Sequence, residues 1–212
     1  MDFFLQIHHR YLFLLVLLLS SCASLPPSTN LPPANSSAHL QHLTALNGIK
    51  SFALKGRLGV VTQKQGFSGG IDWQHQVNSN QLTSTDNIDV FSPLGSKLAN
   101  IAKAPTGVTL TSQDGHTINA QDAESLTEAT LGFRLPLTGL SDWALGKPTK
   151  SNIEASSADE KGRLLTLKQD GWDISYENYT ENNGIFLPNK IILKSDKVNL
   201  KLLVEAWKSV EK

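Results

Sequence analysis

The chain has 212 residues, of which 40% are hydrophobic and 18% charged, and its 19 lysine and arginine residues balance its 19 aspartate and glutamate residues. Nucleic-acid binding requires positive charge that neutralises phosphates, so this balance predicts no nucleic-acid partner. Cys22 is the one cysteine. Because no internal disulfide can form, the fold must be held by burial of apolar surface.

The N-terminal segment is an apolar run, residues 11–19, followed by Ser20, Ser21 and Cys22. A short apolar run that ends in small residues is typical of a secretory signal peptide. It is shorter than the about 20 apolar residues that a transmembrane helix needs. Because a cysteine follows the small residues, the segment resembles a bacterial lipobox. We therefore expect a lipoprotein signal peptide over 1–21, with covalent diacylglycerol and an N-acyl chain on Cys22.

Proline, serine and asparagine are frequent in residues 22–37, which predicts a lipidated flexible tether. Prolines beside Cys22 also argue against a packed metal-binding or catalytic thiol. Residues 38–212 then form one domain, which is long enough for a hydrophobic core. A first helix is predicted over 36–47, where leucines recur at every third position and Gly48 follows.

Apolar and polar residues alternate along the next part of the chain, which predicts strands buried on one face. In the first strand, 52–60, Lys55 and Arg57 occupy the polar face. Further strands are predicted over 67–73, 81–91, 96–103, 108–110 and 116–118. Asp114-Gly115 predicts the hairpin turn before the last of these strands.

Two helices are predicted next, over 119–131 and 138–145, because glycines follow both apolar patterns. Strands return over 163–168, 172–176, 190–194 and 198–207. The short connections exclude parallel crossovers, so the sheet must be antiparallel. A sheet of about 8–11 such strands has to curl to bury its apolar face. We therefore expect a mainly β fold, an incomplete antiparallel β-barrel with helices over its open end.

Catalytic and metal-binding patterns are missing from the sequence. His39 and His42 are three residues apart near the tether and are better explained as a solvated helix face than as metal ligands. Residues 146–149 lack a glycine-rich phosphate loop. Asp72 has no carboxylate of opposite role beside it. We therefore expect no catalytic residue, no metal site and no cofactor.

The apolar interior is the better candidate for function. Sequence alone does not distinguish a filled barrel from a hollow one, and tryptophans serve equally well as core. The candidate cavity-lining residues are Phe52, Leu54, Ile71, Trp73, Leu126 and Trp143.

A turn over 91–96 lies between two predicted strands, with Leu94 at its tip and Pro93 and Gly95 on either side. Further characteristic segments follow in order at 107–110, 114–115, 120–128, 135–137 and 143–148. In order and spacing, these segments and the lipobox resemble the outer-membrane lipoprotein receptor family LolB of Gram-negative bacteria.

The resemblance implies an incomplete barrel with a helical lid over an apolar cavity, anchored in the outer membrane and facing the periplasm. It implies a receptor and not an enzyme. Such a receptor accepts acylated lipoproteins from the periplasmic carrier LolA and inserts them into the inner leaflet of the outer membrane, driven by affinity and without a nucleotide. The partners are thus LolA, acylated cargo and outer-membrane lipids, and we expect a monomer.

By position, Leu94 corresponds to the family's protruding-loop leucine, which helps to push cargo into the membrane, and Pro93 and Gly95 shape this membrane-insertion loop. Ser92 stands where the family often has asparagine. Ala23 is not the aspartate that keeps lipoproteins at the inner membrane in many enteric bacteria, so outer-membrane sorting is expected.

Two alternatives remain open. A structural or assembly lipoprotein of the envelope would bind a protein partner through its sheet and would have a solidly packed interior. An envelope hydrolase would need a pocket with two carboxylates at catalytic separation.

Overall fold

The computed structural model describes residues 36–78, 83–131 and 137–212. The predicted signal peptide, Cys22 and most of the predicted tether lie outside these residues. Within the described ranges, no helix is both long and apolar enough to cross a membrane.

Three helices and eleven strands make up the described ranges. Their order is α1 (Ser37–Asn47), β1 (Ser51–Thr62), β2 (Gly66–Val77), β3 (Ser84–Phe91), β4 (Lys97–Ala104), β5 (Gly107–Ser112), β6 (Thr117–Ala120), α2 (Ala123–Leu131), α3 (Leu137–Ala144), β7 (Ile153–Ala158), β8 (Leu164–Gln169), β9 (Trp172–Asn182), β10 (Ile185–Lys194) and β11 (Val198–Glu211).

All eleven strands form one antiparallel sheet in the order β6-β5-β4-β3-β2-β1-β11-β10-β9-β8-β7. The first and last strands therefore lie side by side in the middle of the sheet. β6 and β7 are its edges and do not pair with each other within the described ranges. The sheet is thus open, which confirms the predicted mainly β, incomplete antiparallel barrel, at the upper end of the predicted strand number.

Alternation along the central strands explains which face is buried. In β1, Phe52 and Leu54 are buried whereas Lys55 and Arg57 are exposed. Every second residue of β11 from Val198 to Val204 is buried in the same way. The β1–β11 register shifts twice, and such bulges bend a strand pair. The bending makes the apolar face concave.

The helices pack against this apolar face. In α1, Ser36 caps the N-terminus by accepting a hydrogen bond from the His39 backbone N–H at 3.2 Å. The His39 ring Nδ1 donates to the Gly162 carbonyl at 2.7 Å, which attaches α1 to the turn between β7 and β8. The prediction of a solvated histidine face was wrong, because His39 and His42 are both buried. Helix α2 packs on β5, β6 and α3, and α3 contacts β10.

The predicted start of α2 was wrong. Asn119 and Ala120 pair in β6 with Thr109 and Val108, and the helix begins at Ala123. The Asp122 carboxylate accepts a hydrogen bond from the Ser125 backbone N–H at 2.6 Å, which is the geometry of a helix N-cap. The cap, and not the apolar spacing, sets the boundary.

Two features of the second half of the sheet were not predicted. Strand β7 has a largely exposed sequence without clear alternation. Strand β10 begins at Ile185, five residues before its predicted start, and includes Pro188. Proline is unusual inside a strand, and its presence concealed the N-terminal half of β10.

A buried polar cluster joins β2, β3 and β4. The Asp86 carboxylate accepts hydrogen bonds from His75 Nδ1 at 2.7 Å, from Trp73 Nε1 at 2.9 Å and from Lys103 Nζ at 3.0 Å. Burial by itself raises the pKa of Asp86. The hydrogen bond and charge of His75, the charge of Lys103 and the hydrogen bond from Trp73 outweigh burial and hold this pKa below its ordinary value.

Replacing Asp86 with asparagine should lower the free energy of unfolding at pH 7 by about 2–4 kcal/mol, because His75 and Lys103 lose a buried charged partner. The pKa of Asp86 is lower in the folded chain than in the unfolded chain, where it is about 3.9. The ionised carboxylate therefore stabilises the fold above that pH, and the contribution is lost as pH falls through the folded-state pKa.

Urea denaturation at several pH values measures this effect, and the difference between wild type and Asp86→Asn should shrink below about pH 4. Asp72→Asn, on the outer face of β2, is the matched control and should change stability by less than about 0.5 kcal/mol. A wild-type advantage that stayed constant down to pH 2 would contradict the role of the charge.

Candidate functional site

An apolar cavity of about 660 Å³ lies between strands β1–β6 and helices α2 and α3. This volume falls within the roughly 300–1,000 Å³ of typical ligand sites. The sheet contributes Leu58, Val60, Ile71, Trp73, Ile88, Val90, Ile101, Leu110 and Ile118, together with Leu202 of β11. Helix α2 contributes Leu126 and Thr127, and α3 contributes Leu140. The helices form one wall of the cavity and the sheet forms the other.

The structure brings three of the six sequence-predicted residues to this cavity, namely Ile71, Trp73 and Leu126. The other three, Phe52, Leu54 and Trp143, are buried in the core and are not among its lining residues. All six side chains point to the interior. The three cavity residues lie beside an empty space, whereas the three core residues lie beside other side chains.

Phe52 packs directly behind the cavity wall. Its ring stacks on His75 with centroids 4.9 Å apart and meets Trp73 edge-on at 5.2 Å. Trp73 is therefore fixed by Phe52 on one side and by its hydrogen bond to Asp86 on the other. The cavity wall at this point is rigid.

Trp143 belongs to the filled half of the interior, beneath β7–β10. Its ring lies 6.5 Å from that of Trp172, and its Nε1 donates to the fully buried side chain of Gln169 at 3.1 Å. The Gln169 amide in turn donates to the Ser151 carbonyl at 2.8 Å. These contacts anchor α3, so that Leu140 on the same helix faces the hollow half.

The mouth of the cavity, residues 65–67, is the exposed part of its lining. Gln65, Gly66 and Phe67 are exposed, whereas the other lining residues are buried or half-buried. The three residues lie where the β1–β2 turn leads into β2. The cavity thus opens at the end of the sheet that carries this turn.

The loop of Leu94 lies at the same end of the sheet, because β3 runs antiparallel to β2. Leu94 is 96% exposed. The Gly95 N–H donates to the Ser92 carbonyl at 2.9 Å, and Gly95 has φ +89°, a left-handed conformation that favours glycine. The Ser92 Oγ accepts from the Ser96 N–H at 3.1 Å. Serine therefore closes this turn and holds Leu94 outward.

Most of the lining residues were not among the six predicted ones, and Phe67 and Leu98 are two of these. Both were placed in predicted strands, and Phe67 pairs with the cavity residue Val60. The signal was present in the alternation: Phe67, Ile71 and Trp73 lie on one face of β2. Following that face to the end of the strand would have found Phe67.

In the described ranges, no group of three histidine, cysteine, aspartate or glutamate residues could hold a metal ion. His75 and Asp86 form the one buried His–carboxylate ion pair there. The Asp86 carboxylate of this pair also accepts a hydrogen bond from Trp73 and forms an ion pair with Lys103. Its contacts are those of a structural cluster and not of an acid–base site.

Comparison with known proteins gives three results. The family model described as outer membrane lipoprotein LolB matches residues 50–207. The outer-membrane lipoprotein LolB of Nitrosomonas europaea is 36% identical over 163 residues, which is 76% of this chain and 74% of the relative. That of Stutzerimonas stutzeri is 30% identical over 196 residues, which is 91% of each chain.

Among solved structures, a DUF1329 family protein from Desulfovibrio piger matches with a TM-score of 0.53 and 5% identity, covering 82% of this chain and 90% of that one. At this identity the match shows a common fold.

Filling the cavity should block binding of apolar molecules. Ala99 of β4 lines the cavity, so Ala99→Trp should weaken binding of the apolar fluorescent dye N-phenylnaphthylamine by about tenfold. The exposed Ala102 lies on the opposite face of the same strand, and Ala102→Trp is the matched control. Fluorescence titration measures both affinities. Equal affinities for the two variants would show that the dye binds elsewhere.

Proposed function

Because this chain belongs to the LolB family of outer-membrane lipoproteins, we propose that it accepts acylated lipoproteins from the periplasmic carrier LolA and inserts them into the inner leaflet of the outer membrane. The chain is itself an outer-membrane lipoprotein and is not an enzyme. The observation that carries the proposal is the apolar cavity of about 660 Å³, whose mouth lies at the same end of the sheet as Leu94.

The cavity supplies the chemistry that such cargo needs. Each methylene group of an acyl chain exposed to water costs about 0.8 kcal/mol, so a lipoprotein with several chains requires a continuous apolar environment. In the cavity lining, Thr62, Gln65 and Thr127 are the polar side chains among otherwise apolar residues and glycine. An acyl chain makes no hydrogen bonds of its own. Moving it from water into this lining therefore replaces water contacts with hydrocarbon contacts and breaks no hydrogen bond of the chain.

Transfer then follows a gradient of affinity. The cavity binds acyl chains more tightly than the carrier does and less tightly than the bilayer, so each step lowers the free energy without nucleotide hydrolysis. The alternative, a structural lipoprotein with a solidly packed interior, is disfavoured by the open hollow beneath β1–β6.

Leu94 acts on the membrane side of this transfer. A leucine side chain gains about 1.5–3 kcal/mol on moving from water into an apolar environment. Leu94 is 96% exposed, so all of that gain is available when the loop enters the bilayer. Pro93 and Gly95 keep the loop short and turned, which positions Leu94 as its leading side chain.

The anchor is the lipidated Cys22, at the start of a mature chain whose tether, residues 22–37, leads to the receptor domain of residues 38–212. A diacylglycerol and an N-acyl chain provide three acyl chains, and two are enough for stable attachment. The anchor therefore keeps the cavity at the periplasmic face of the outer membrane, where its cargo is delivered.

Leu94→Glu should leave folding and cargo uptake intact but reduce delivery to vesicles by at least about tenfold, since the loop then carries a charge that the bilayer rejects. Delivery is measured as the transfer of a labelled lipoprotein from LolA to vesicles that contain the receptor. Leu40→Glu, at an exposed leucine of α1, is the matched control and should deliver normally. Normal delivery by Leu94→Glu would rule out the role of the loop.

Cys22→Ala should abolish incorporation of labelled palmitate and release the protein from the outer-membrane fraction. Ser21→Ala keeps a small residue before the cysteine and is the control that should remain lipidated. Metabolic labelling followed by membrane fractionation measures both properties. Palmitate incorporation by Cys22→Ala would place the lipid on another residue.

A further inference from the structure

The mouth of the cavity contains one aromatic side chain, Phe67. Its Cβ lies on the interior face of β2, since Phe67 pairs with the buried cavity residue Val60. Nevertheless, the residue is 37% exposed. Phe67 therefore contacts the cavity on one side and solvent on the other, at the place where an acyl chain has to pass.

The ring lies along its own strand, over Gly69. A Cβ atom added to Gly69 would be 2.7 Å from Phe67 Cζ and 2.1 Å from the Phe91 carbonyl oxygen. The short distance to the Phe91 backbone excludes a side chain at position 69, so the tip of the Phe67 ring occupies the space beside this glycine. The ring covers Gly69, which is buried even though it lies next to the exposed mouth.

The geometry points to Phe67 as a gate for acyl chains, an inference that rests on the proposed function. In the position seen here the ring lies at the mouth and narrows it. Rotation of the ring about its side-chain bonds moves it away from Gly69 and widens the passage. The gate thus changes how fast acyl chains enter and leave and has little effect on how tightly they bind.

A phenyl ring suits this role because it is apolar on both faces and has two rotatable bonds. Its place over Gly69 keeps it in apolar contact with the mouth, and a chain that enters or leaves has to displace it. The flanking residues of the turn, Lys64 and Gln65, are exposed and polar, so they cannot cover an apolar mouth in this way. Phe67 is thus the side chain that a passing acyl chain has to move aside.

Val61 provides a matched control on the same hairpin. It is 56% exposed and pairs with Gly66, next to Phe67. Its neighbour Val60 faces the cavity, so Val61 faces outward. Val61 is therefore exposed and apolar like Phe67. It lies on the outer face of the sheet, however, and cannot contact an acyl chain in the mouth.

The test uses the full-length lipoprotein anchored in vesicles of phosphatidylethanolamine and phosphatidylglycerol. The probe is a synthetic triacylated cysteinyl peptide with pyrene on its acyl chains, added as a complex with LolA. Pyrene in the cavity quenches tryptophan fluorescence because Trp73 lines the wall. Stopped-flow recordings give the rates of entry and loss, and the maximum of the quenching signal gives the peak occupancy that the cavity reaches before the probe passes to the bilayer.

Phe67→Ala should raise the rate constants for entry and for loss together by about fivefold, which corresponds to the loss of one aromatic contact from the barrier. Peak occupancy should change by less than about twofold, because it depends on the ratio of the two rate constants and a gate changes both in the same proportion. Phe67→Trp should slow both rates, and Val61→Ala should leave both unchanged. Circular dichroism checks that each variant is folded.

Three outcomes would overturn the gate. Equal rates for Phe67→Ala and Val61→Ala would exclude any role in passage. Faster loss with unchanged entry would make Phe67 part of the binding wall. Rate constants for a further variant, Phe67→Leu, that equal those of the wild type would show that the aromatic ring is not needed. The absence of quenching in the wild-type protein would instead reject the proposed function, and the gate with it.

Discussion

The structure depends on the pairing of its first and last strands. β1 and β11 are hydrogen-bonded from Ser51 opposite Glu211 to Thr62 opposite Val198, with two bulges that bend the pair. Because these two strands meet in the middle of the sheet, its free edges are the mid-chain strands β6 and β7. The segment between those edges carries α2 and α3, of which α2 packs on β5 and β6 and α3 contacts β10. The lid over the cavity thus comes from the connection between the two edges.

The lid fills only part of the space beneath it. Trp143 and Trp172 pack the interior under β7–β10, whereas the cavity remains under β1–β6. Closed apolar voids cost about 24 cal/mol per Å³, so a sealed cavity of 660 Å³ would cost about 16 kcal/mol, more than most domains have to spare. The exposed residues 65–67 open the cavity, so an apolar ligand can enter it and replace the void with hydrocarbon contacts.

Alternation in the sequence determines which face each strand buries, and for that reason the antiparallel sheet and its incomplete closure could be predicted. The same alternation does not say whether an inward side chain meets a neighbour or a void. Leu54 and Ile71 have the same pattern, yet Leu54 lies in the core and Ile71 lines the cavity. The difference comes from helices that approach from a distant part of the chain. The Leu94 loop, in contrast, is closed by contacts within five residues, so the sequence around it was sufficient.

Strand β2 runs from the mouth of the cavity to the buried polar cluster around Asp86. Phe67 lies at the mouth, Ile71 and Trp73 lie in the wall, and His75 lies at the base, about 26 Å from Phe67 along an extended strand. Charge-assisted hydrogen bonds to the buried Asp86 hold the base. Local opening starts where few buried contacts must be broken, and that is the mouth. A fixed base keeps the cavity in shape while its rim moves, so the residues that stabilise the fold are separate from those that set the rate of exchange.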